Sequence, residues 1–186
     1  MDHLKNTLRV IDKMVADGVI QKYAIAGAVA ALNYIEPAVT EDLDILISFE
    51  DLQYRSSAIL TLEPLYSYLG ALGYTEHRKE GIVIEGWPVQ FLPVANELDA
   101  EGLDRAVEVE IEFEGSVPLK ARTLTAEHIV ATALRVGRPK DRDRILRFFE
   151  EKVIDFKVLR DILERHNLLE AWSKFRAQMD LPDLNE

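Results

Sequence analysis

Residues 26–46 read AGAVAALNYIEPAVTEDLDIL and contain the strongest structural signal in the chain. A short buried strand is predicted to end at Ala26, and the small residues after Gly27 predict a turn that opens a short helix. The run from Thr40 to Ser48 then predicts a second strand, with an acidic start and an apolar end. This order brings the glycine turn and the acidic start of the strand to one cleft.

Asp42 and Asp44 are the candidate metal ligands. Side chains two apart on a strand point the same way, with α-carbons roughly 6.6 Å apart. Two carboxylates so placed repel unless a positive charge joins them, which a hard divalent cation such as Mg²⁺ or Mn²⁺ does. Backbone N–H groups at the Gly27 turn could hold phosphate in the same cleft. Asp-X-Asp also occurs on wet strand faces and in glycosyltransferases, although the latter usually have a longer sheet before the motif.

Composition bounds the function classes. The chain has 186 residues, 48% hydrophobic and 30% charged, which predicts one ordinary globular domain or a compact core with one appendage. The absence of cysteine excludes a disulfide framework, a cysteine nucleophile and a thiolate zinc site. No apolar stretch is long enough to span a membrane and no secretory signal is evident, so we expect a cytoplasmic protein.

Charge is distributed unevenly along the chain. The net charge of −11 argues against a nucleic-acid clamp over the whole surface. Residues 135–147 nevertheless hold six basic and two acidic side chains, a balance of +4 that leaves −15 elsewhere. A local positive site on an acidic protein suits a phosphate-bearing ligand. A solvated helix face of mixed charge is the alternative.

Periodicity predicts an α+β fold, with a mixed sheet flanked by helices and a C-terminal helical segment. We place the α/β core at residues 1–124 and the helical segment, packed on the core, at residues 125–186. The helices are predicted at 3–17, 27–34, 60–72, 96–106, 125–136, from Pro139, 155–166 and 169–179, and the strands at 23–26, 40–48, 82–85, 89–94, 108–114 and after 116.

The strand at residues 108–114 alternates apolar residues with glutamates, as in a strand with one wet face. A loop at 114–116 would set Glu110 opposite Lys120 and Glu108 opposite Arg122. These cross-strand ion pairs would help to fix the register. We interpret the glutamates as structural rather than catalytic.

The run at residues 26–46 resembles the signature of the nucleotidyltransferase fold, the superfamily that includes polymerase-beta-like enzymes. In its minimal branch, which includes abortive-infection-type toxin transferases, a Gly-Gly or Gly-Ser turn is followed by Thr-X-Asp-X-Asp. Gly27 and Ala28 match the turn, and Thr40, Asp42 and Asp44 match the second motif. GWPVQFLP at 86–93 and the Lys-Asp-Arg segment at 140–142 also look like this branch.

The resemblance implies transfer of a nucleoside monophosphate from a nucleoside triphosphate to an acceptor hydroxyl. It implies Asp42 and Asp44 as catalytic ligands of Mg²⁺, and Lys140 as the catalytic cation. The acceptor is a small molecule, a protein or an RNA. Nucleotide and phosphate binding would fall to Gly27, Ala28, Thr40 and Arg142.

The sequence departs from the family at its third carboxylate, where Gln90 stands on the strand 89–94. Glutamine is no general base and a poor metal ligand, and Glu85 is the substitute that the hairpin offers. The alternative function is therefore a binding module that has lost catalysis. The family also suggests a toxin–antitoxin-like pair, with a second protein as partner. The four histidines show no zinc spacing, and we expect surface or capping roles for them.

Overall fold

The computed structural model describes residues 2–36, 40, 42–48, 62–111 and 118–184. These residues form eight helices and seven strands. The helices are α1 Asp2–Ala16, α2 Gly27–Ala31, α3 Glu63–Ala71, α4 Glu97–Asp104, α5 Ala126–Val136, α6 Pro139–Glu150, α7 Phe156–Arg165 and α8 Leu169–Met179. The strands are β1 Lys22–Ile25, β2 Leu43–Ser48, β3 His77–Arg78, β4 Gly81–Ile84, β5 Trp87–Pro93, β6 Val107–Ile111 and β7 Leu119–Thr123.

One mixed sheet forms the centre, in the order β3-β4-β5-β2-β1-β7-β6. The pairs β2/β5 and β1/β7 are parallel, and the other neighbours are antiparallel. Leu43, Ile45 and Ile47 on β2 are fully buried, as expected for the inner strand of a covered sheet. The predicted α+β class with C-terminal helices is confirmed.

The register of β2 positions the residues of interest. Asp44 pairs with Gln90 on β5, and Ile45 pairs with Ile25 on β1. Side chains at paired positions of neighbouring strands project from the same face of a sheet. Gln90 is therefore the β5 residue beside Asp44.

The predicted register of the last hairpin is confirmed over its described residues. Glu110 pairs with Lys120 and Glu108 with Arg122. The ion pairing differs, because Lys120 Nζ lies 2.7 Å from Glu108, diagonally across the pair. Arg122 donates instead to backbone carbonyl oxygens of the α4–β6 segment. The predicted loop at 114–116 lies outside the described residues.

Two details differ from the predicted elements. Strand β2 begins at Leu43 rather than Thr40, so Asp42 immediately precedes the strand. The two-residue strand β3 is too short to leave a periodic signal in the sequence. The loop predicted at 50–58 and the start of the helix predicted at 60 lie outside the described residues.

The C-terminal helices share the hydrophobic core of the sheet. Thr125 Oγ1 accepts from the His128 backbone N–H to cap α5, and Gly137 ends that helix with φ 70°. Phe148 of α6 packs against Tyr34, with ring centroids 6.1 Å apart. The helices therefore add to one continuous core, and the boundary at residue 124 stays a prediction. In the described part of the chain, no helix is both long and apolar enough to cross a membrane.

Candidate functional site

A cavity of about 440 Å³ opens where α2, the start of β2, the β3–β4 turn and α6 meet. One side of it is acidic, one is basic, and the wall formed by α2 is apolar. Its lining comprises Ala28, Ala31, Leu32, Ile35, Glu36, Thr40, Asp42, Asp44, Lys79, Lys140, Asp143, Arg144 and Arg147. The cavity therefore collects Asp42, Asp44, Lys140, Thr40 and Ala28 from the residues predicted for the site.

Gly27 makes room for the Asp44 carboxylate. A β-carbon at this glycine would lie 2.0 Å from Asp44 Oδ2, and its φ of +61° is one that other residues rarely adopt. The Ala26 N–H also donates to the Asp44 backbone carbonyl at 2.8 Å. The glycine turn and Asp44 are thus in direct contact, which explains why the first helical position of α2 needs a residue without a side chain.

Asp42 is held by its neighbour Thr40. The Thr40 hydroxyl donates to the Asp42 backbone carbonyl at 3.0 Å and lies 3.2 Å from Asp42 Oδ1. This local turn precedes β2 and turns the second carboxylate into the same cavity as Asp44. The negative charges of Asp42 and Asp44 are therefore close enough to repel each other.

The surroundings of Asp44 disfavour the charged form of its carboxyl group. Burial raises its pKa, and the negative charge of Asp42 raises it further. Lys140, Arg144 and Arg138 lower the pKa in part, but the balance is still an increase. The carboxylate form thus lacks full compensation from the described residues, which is the condition that a bound cation relieves.

Three cations of α6 form the basic wall of the cavity. Lys140, Arg144 and Arg147 are spaced four and three residues apart, so they share one helix face. Arg142 lies on a different face and lines another cavity, of about 240 Å³, with residues of α5 and α8. Of the predicted phosphate-binding residues, Arg142 is therefore not brought to Asp44. The i, i+4, i+7 spacing is the signal that points to Arg144 and Arg147.

Asp141 organises this wall from inside the protein. Its side chain is 1% exposed, accepts from Arg138 Nε at 2.7 Å and lies 3.4 Å from Arg144 Nη1. It also accepts from the Arg138 backbone N–H, which caps the start of α6. Burial lowers the pKa of Arg144. The acidic residue of the Lys-Asp-Arg segment thus positions Arg144 rather than facing the cavity.

Gln90 lies beside Asp44 in the β2/β5 register but is not among the residues that line the cavity. Its amide Nε2 donates to Glu80 Oε2 at 3.0 Å, and Glu80 follows Lys79 in the β3–β4 turn. Glu85 lies at the opposite end of the β4–β5 hairpin, where the Tyr74 hydroxyl donates to its carboxylate at 2.5 Å. The structure therefore gives no support to Glu85 as the replacement for a carboxylate at position 90.

The donor set of the cavity fits one hard divalent cation. Asp42 and Asp44 offer carboxylate oxygens, the ligands that Mg²⁺ prefers, and Mg²⁺ usually keeps waters or substrate phosphates in its other positions. Within the described ranges, no cluster of three or more His, Cys, Asp or Glu side chains could hold a metal by itself. The arrangement therefore suits a cation that arrives with an anionic ligand.

Comparisons with known proteins bear on the fold. No protein-family description matches the chain, and no curated protein matches it either. Among solved structures, the chain is similar to an antigenic nucleotidyltransferase-like protein from Paracoccidioides brasiliensis, with 19% identity, a TM-score of 0.51 and coverage of 91% of this chain and 92% of that one. It also aligns with the antibiotic-resistance factor ANT(2'')-Ia, at 16% identity and a TM-score of 0.45, over 97% of each chain. The first similarity supports a nucleotidyltransferase-like fold.

Proposed function

We propose that the protein is a Mg²⁺-dependent nucleotidyltransferase that moves a nucleoside monophosphate from a nucleoside triphosphate to an acceptor hydroxyl. One observation carries this proposal: paired carboxylates, Asp42 and Asp44, line the same cavity as three cations of α6. The nucleotidyltransferase-like fold is consistent with it. A cavity that holds both an acidic pair and a group of cations suits a metal–triphosphate, since the metal and the phosphates each meet charges of the opposite sign.

Asp42 and Asp44 would hold the cation, which supplies charge neutralisation on the phosphates. Mn²⁺ has the same preference for oxygen ligands and is the alternative metal. Gly27 allows the approach of Asp44, and Thr40 fixes Asp42. These contacts preorganise the two carboxylates before any ligand binds.

The α6 wall would bind the triphosphate. Lys140, Arg144 and Arg147 would neutralise the phosphate oxygens and the charge that develops on the departing pyrophosphate. Arg144 is held in place by buried Asp141, so little reorganisation is needed when the ligand enters. The apolar α2 wall, with Ala31 and Leu32, would contact the nucleoside.

A thermal-shift panel tests the binding half of the proposal. Each of the four nucleoside triphosphates is added with and without Mg²⁺ to the wild type, to Asp42→Asn and to a control, Asp12→Asn. Asp12 is a half-buried carboxylate in another cavity, and it accepts a hydrogen bond from the Tyr23 hydroxyl.

A ligand at 100 times its Kd adds about 2.7 kcal/mol of stability. We expect a Mg²⁺-dependent shift that Asp42→Asn loses and the control keeps; nucleotide affinity unchanged in Asp42→Asn contradicts the proposal.

The alternative is a binding module on the same fold. Gln90, an amide in register with Asp44, is the observation that favours it. This module would bind nucleotide or a protein partner and release no pyrophosphate, so a pyrophosphate assay separates the two functions. Membership of the toxin branch and a toxin–antitoxin-like partner are proposals that rest on the sequence pattern alone, and co-purification of a second chain would test them.

A further inference from the structure

Arg142 is a predicted phosphate-binding residue that the proposed site does not use. It lines the second cavity, of about 240 Å³, whose walls come from α5, α6 and α8. Its side chain is exposed and forms no hydrogen bond or ion pair with the described residues. Asp141, its neighbour in the sequence, is engaged by Arg138 and Arg144 instead. This cavity therefore contains a cation whose charge the described part of the chain leaves unpaired.

The charges around this cavity are of one sign. Among the described residues that line it, the charged ones are the two cations Arg142 and Lys174. Lys174 Nζ lies 2.6 Å from Glu170 in an exposed pair, which balances the lysine charge. On a chain with a net charge of −11, a cavity lined by cations and by no described acidic residue favours an anionic ligand.

Much of the remaining lining is apolar. Ala133 of α5, Ile145 of α6 and Phe175 of α8 are 4%, 1% and 7% exposed, so the cavity reaches the edge of the hydrophobic core. A cavity of about 150 Å³ inside a protein is large enough to bind benzene. The larger volume here has room for a ring and a short chain, and Phe175 offers the ring an aromatic contact.

We propose that this cavity is a binding site for a small carboxylate with an aromatic body. The Arg142 guanidinium is planar and can hold a carboxylate by two parallel N–H···O bonds, and the Gln178 amide can donate another. The ring would lie against Ile145 and Phe175, where burial of its apolar surface adds to the affinity.

The proposed carboxylate site is separate from the cavity of the acidic pair. The two cavities have no described lining residue in common, although α6 contributes side chains to both. Binding of the carboxylate therefore requires neither the metal nor the nucleotide. The inference goes beyond the proposed function and does not depend on it.

Phenylpropionate is the probe, because it joins a benzene ring to a carboxylate through a short chain. Ligand-observed NMR measures its binding to the protein without metal or nucleotide, in comparison with phenylpropanol, phenylpropylamine and acetate. Arg142→Met removes the charge and keeps an apolar stem, and Ala171→Leu adds bulk to the α8 wall of the cavity. The controls are Asp42→Asn and Lys157→Met, since Lys157 is an exposed lysine of α7 that does not line the cavity. Circular dichroism checks that each variant is folded.

We expect phenylpropionate to bind at least about tenfold more tightly than the alcohol, the amine or acetate, within the range of charge-assisted hydrogen bonds. Arg142→Met and Ala171→Leu should each weaken binding by a similar factor, and the two controls should bind as the wild type does. Absence of binding, equal binding of the alcohol, or unchanged binding in Arg142→Met overturns the proposal. Altered binding in Asp42→Asn also overturns it, because the carboxylate would then lie in the other cavity. The nucleotide panel is independent of these outcomes, so the two proposals fail separately.

Discussion

Glu101 and Asp44 are both partly buried carboxylates near basic side chains, but the protein shifts their pKa values in opposite directions. Glu101 of α4 accepts from Arg165 Nη2 at 2.5 Å and from His166 Nε2 at 2.6 Å, and Arg105 Nε lies 3.0 Å away. Although burial alone would raise its pKa, these bonds bring the pKa down to about 2. At Asp44 the balance runs the other way, and the pKa is raised.

Under the proposed function, this difference separates a structural carboxylate, Glu101, from one that would bind a ligand, Asp44. Direct, charge-assisted bonds tie Glu101 to α7 and complete its coordination within the protein. Among the described residues, none forms an ion pair with Asp44 within 4 Å. Three cations, Lys140, Arg144 and Arg138, act on it at longer range. In the proposed function, a bound cation would supply the compensation that Asp44 lacks.

Removing the charge of Glu101 has the largest expected effect. Its pKa falls from 4.5 to about 2, and each unit corresponds to about 1.4 kcal/mol. With a side chain only 16% exposed, Glu101→Gln should lower the free energy of unfolding by about 3 kcal/mol at neutral pH, as measured by urea denaturation. The control is Glu170→Gln, an exposed partner of Lys174, which should leave stability nearly unchanged. Equal losses in the two variants would contradict the comparison.

Acid should weaken the same cluster through His128. Burial lowers the pKa of this histidine from 6.5 to about 4. Between these values the unfolded chain binds a proton that the folded protein does not, so stability present above pH 6.5 is lost as the pH falls to 4. The loss should approach about 3 kcal/mol, and Glu101 extends it below its ordinary pKa of 4.5. Between pH 6.5 and 4.5, unfolding free energies should fall in the wild type and fall much less in His128→Gln; a flat wild-type profile would refute this account.

Asp44 should give the smallest effect on stability, and one of opposite sign. Because burial and Asp42 disfavour its charge, Asp44→Asn should raise the free energy of unfolding in metal-free buffer. Added Mg²⁺ with nucleotide should then stabilise the wild type and not the variant. Differential scanning calorimetry measures both changes. A variant less stable than the wild type without metal would show that Asp44 is compensated by the protein, as Glu101 is.

The sequence predicted β2 and the face on which Asp44 lies, because both depend on alternation along one strand. Leu43 and Ile45 on one face and Asp44 on the other follow from a period of two. The register of Glu110 with Lys120 was also predictable, since a short loop leaves few alternatives. Strand β3 was not, because two residues hold no period.

The basic side of the cavity depends on long-range packing, which local patterns record only in part. The match to the family's Lys-Asp-Arg segment indicated Arg142 as a phosphate-binding residue. The helix face that lines the cavity with Asp44 carries Arg144 instead. Asp141 contacts Arg138 and Arg144 within α6, but its burial depends on tertiary packing, and the bond from Gln90 to Glu80 crosses a hairpin. Residue type and spacing did not identify these contacts.

The β1/β7 pairing has a consequence for how the protein matures on the ribosome. Ile25 pairs with Thr123, so the β6/β7 hairpin joins β1 only after a long intervening segment has been made. Synthesis proceeds at about 5–20 residues per second, and domains fold as units. Asp42 and Asp44 therefore emerge seconds before Lys140 and Arg144 of α6. For that interval a nascent chain carries the acidic half of the cavity without its basic half, so capture of a metal–triphosphate in the proposed site would have to await almost complete synthesis of the described core.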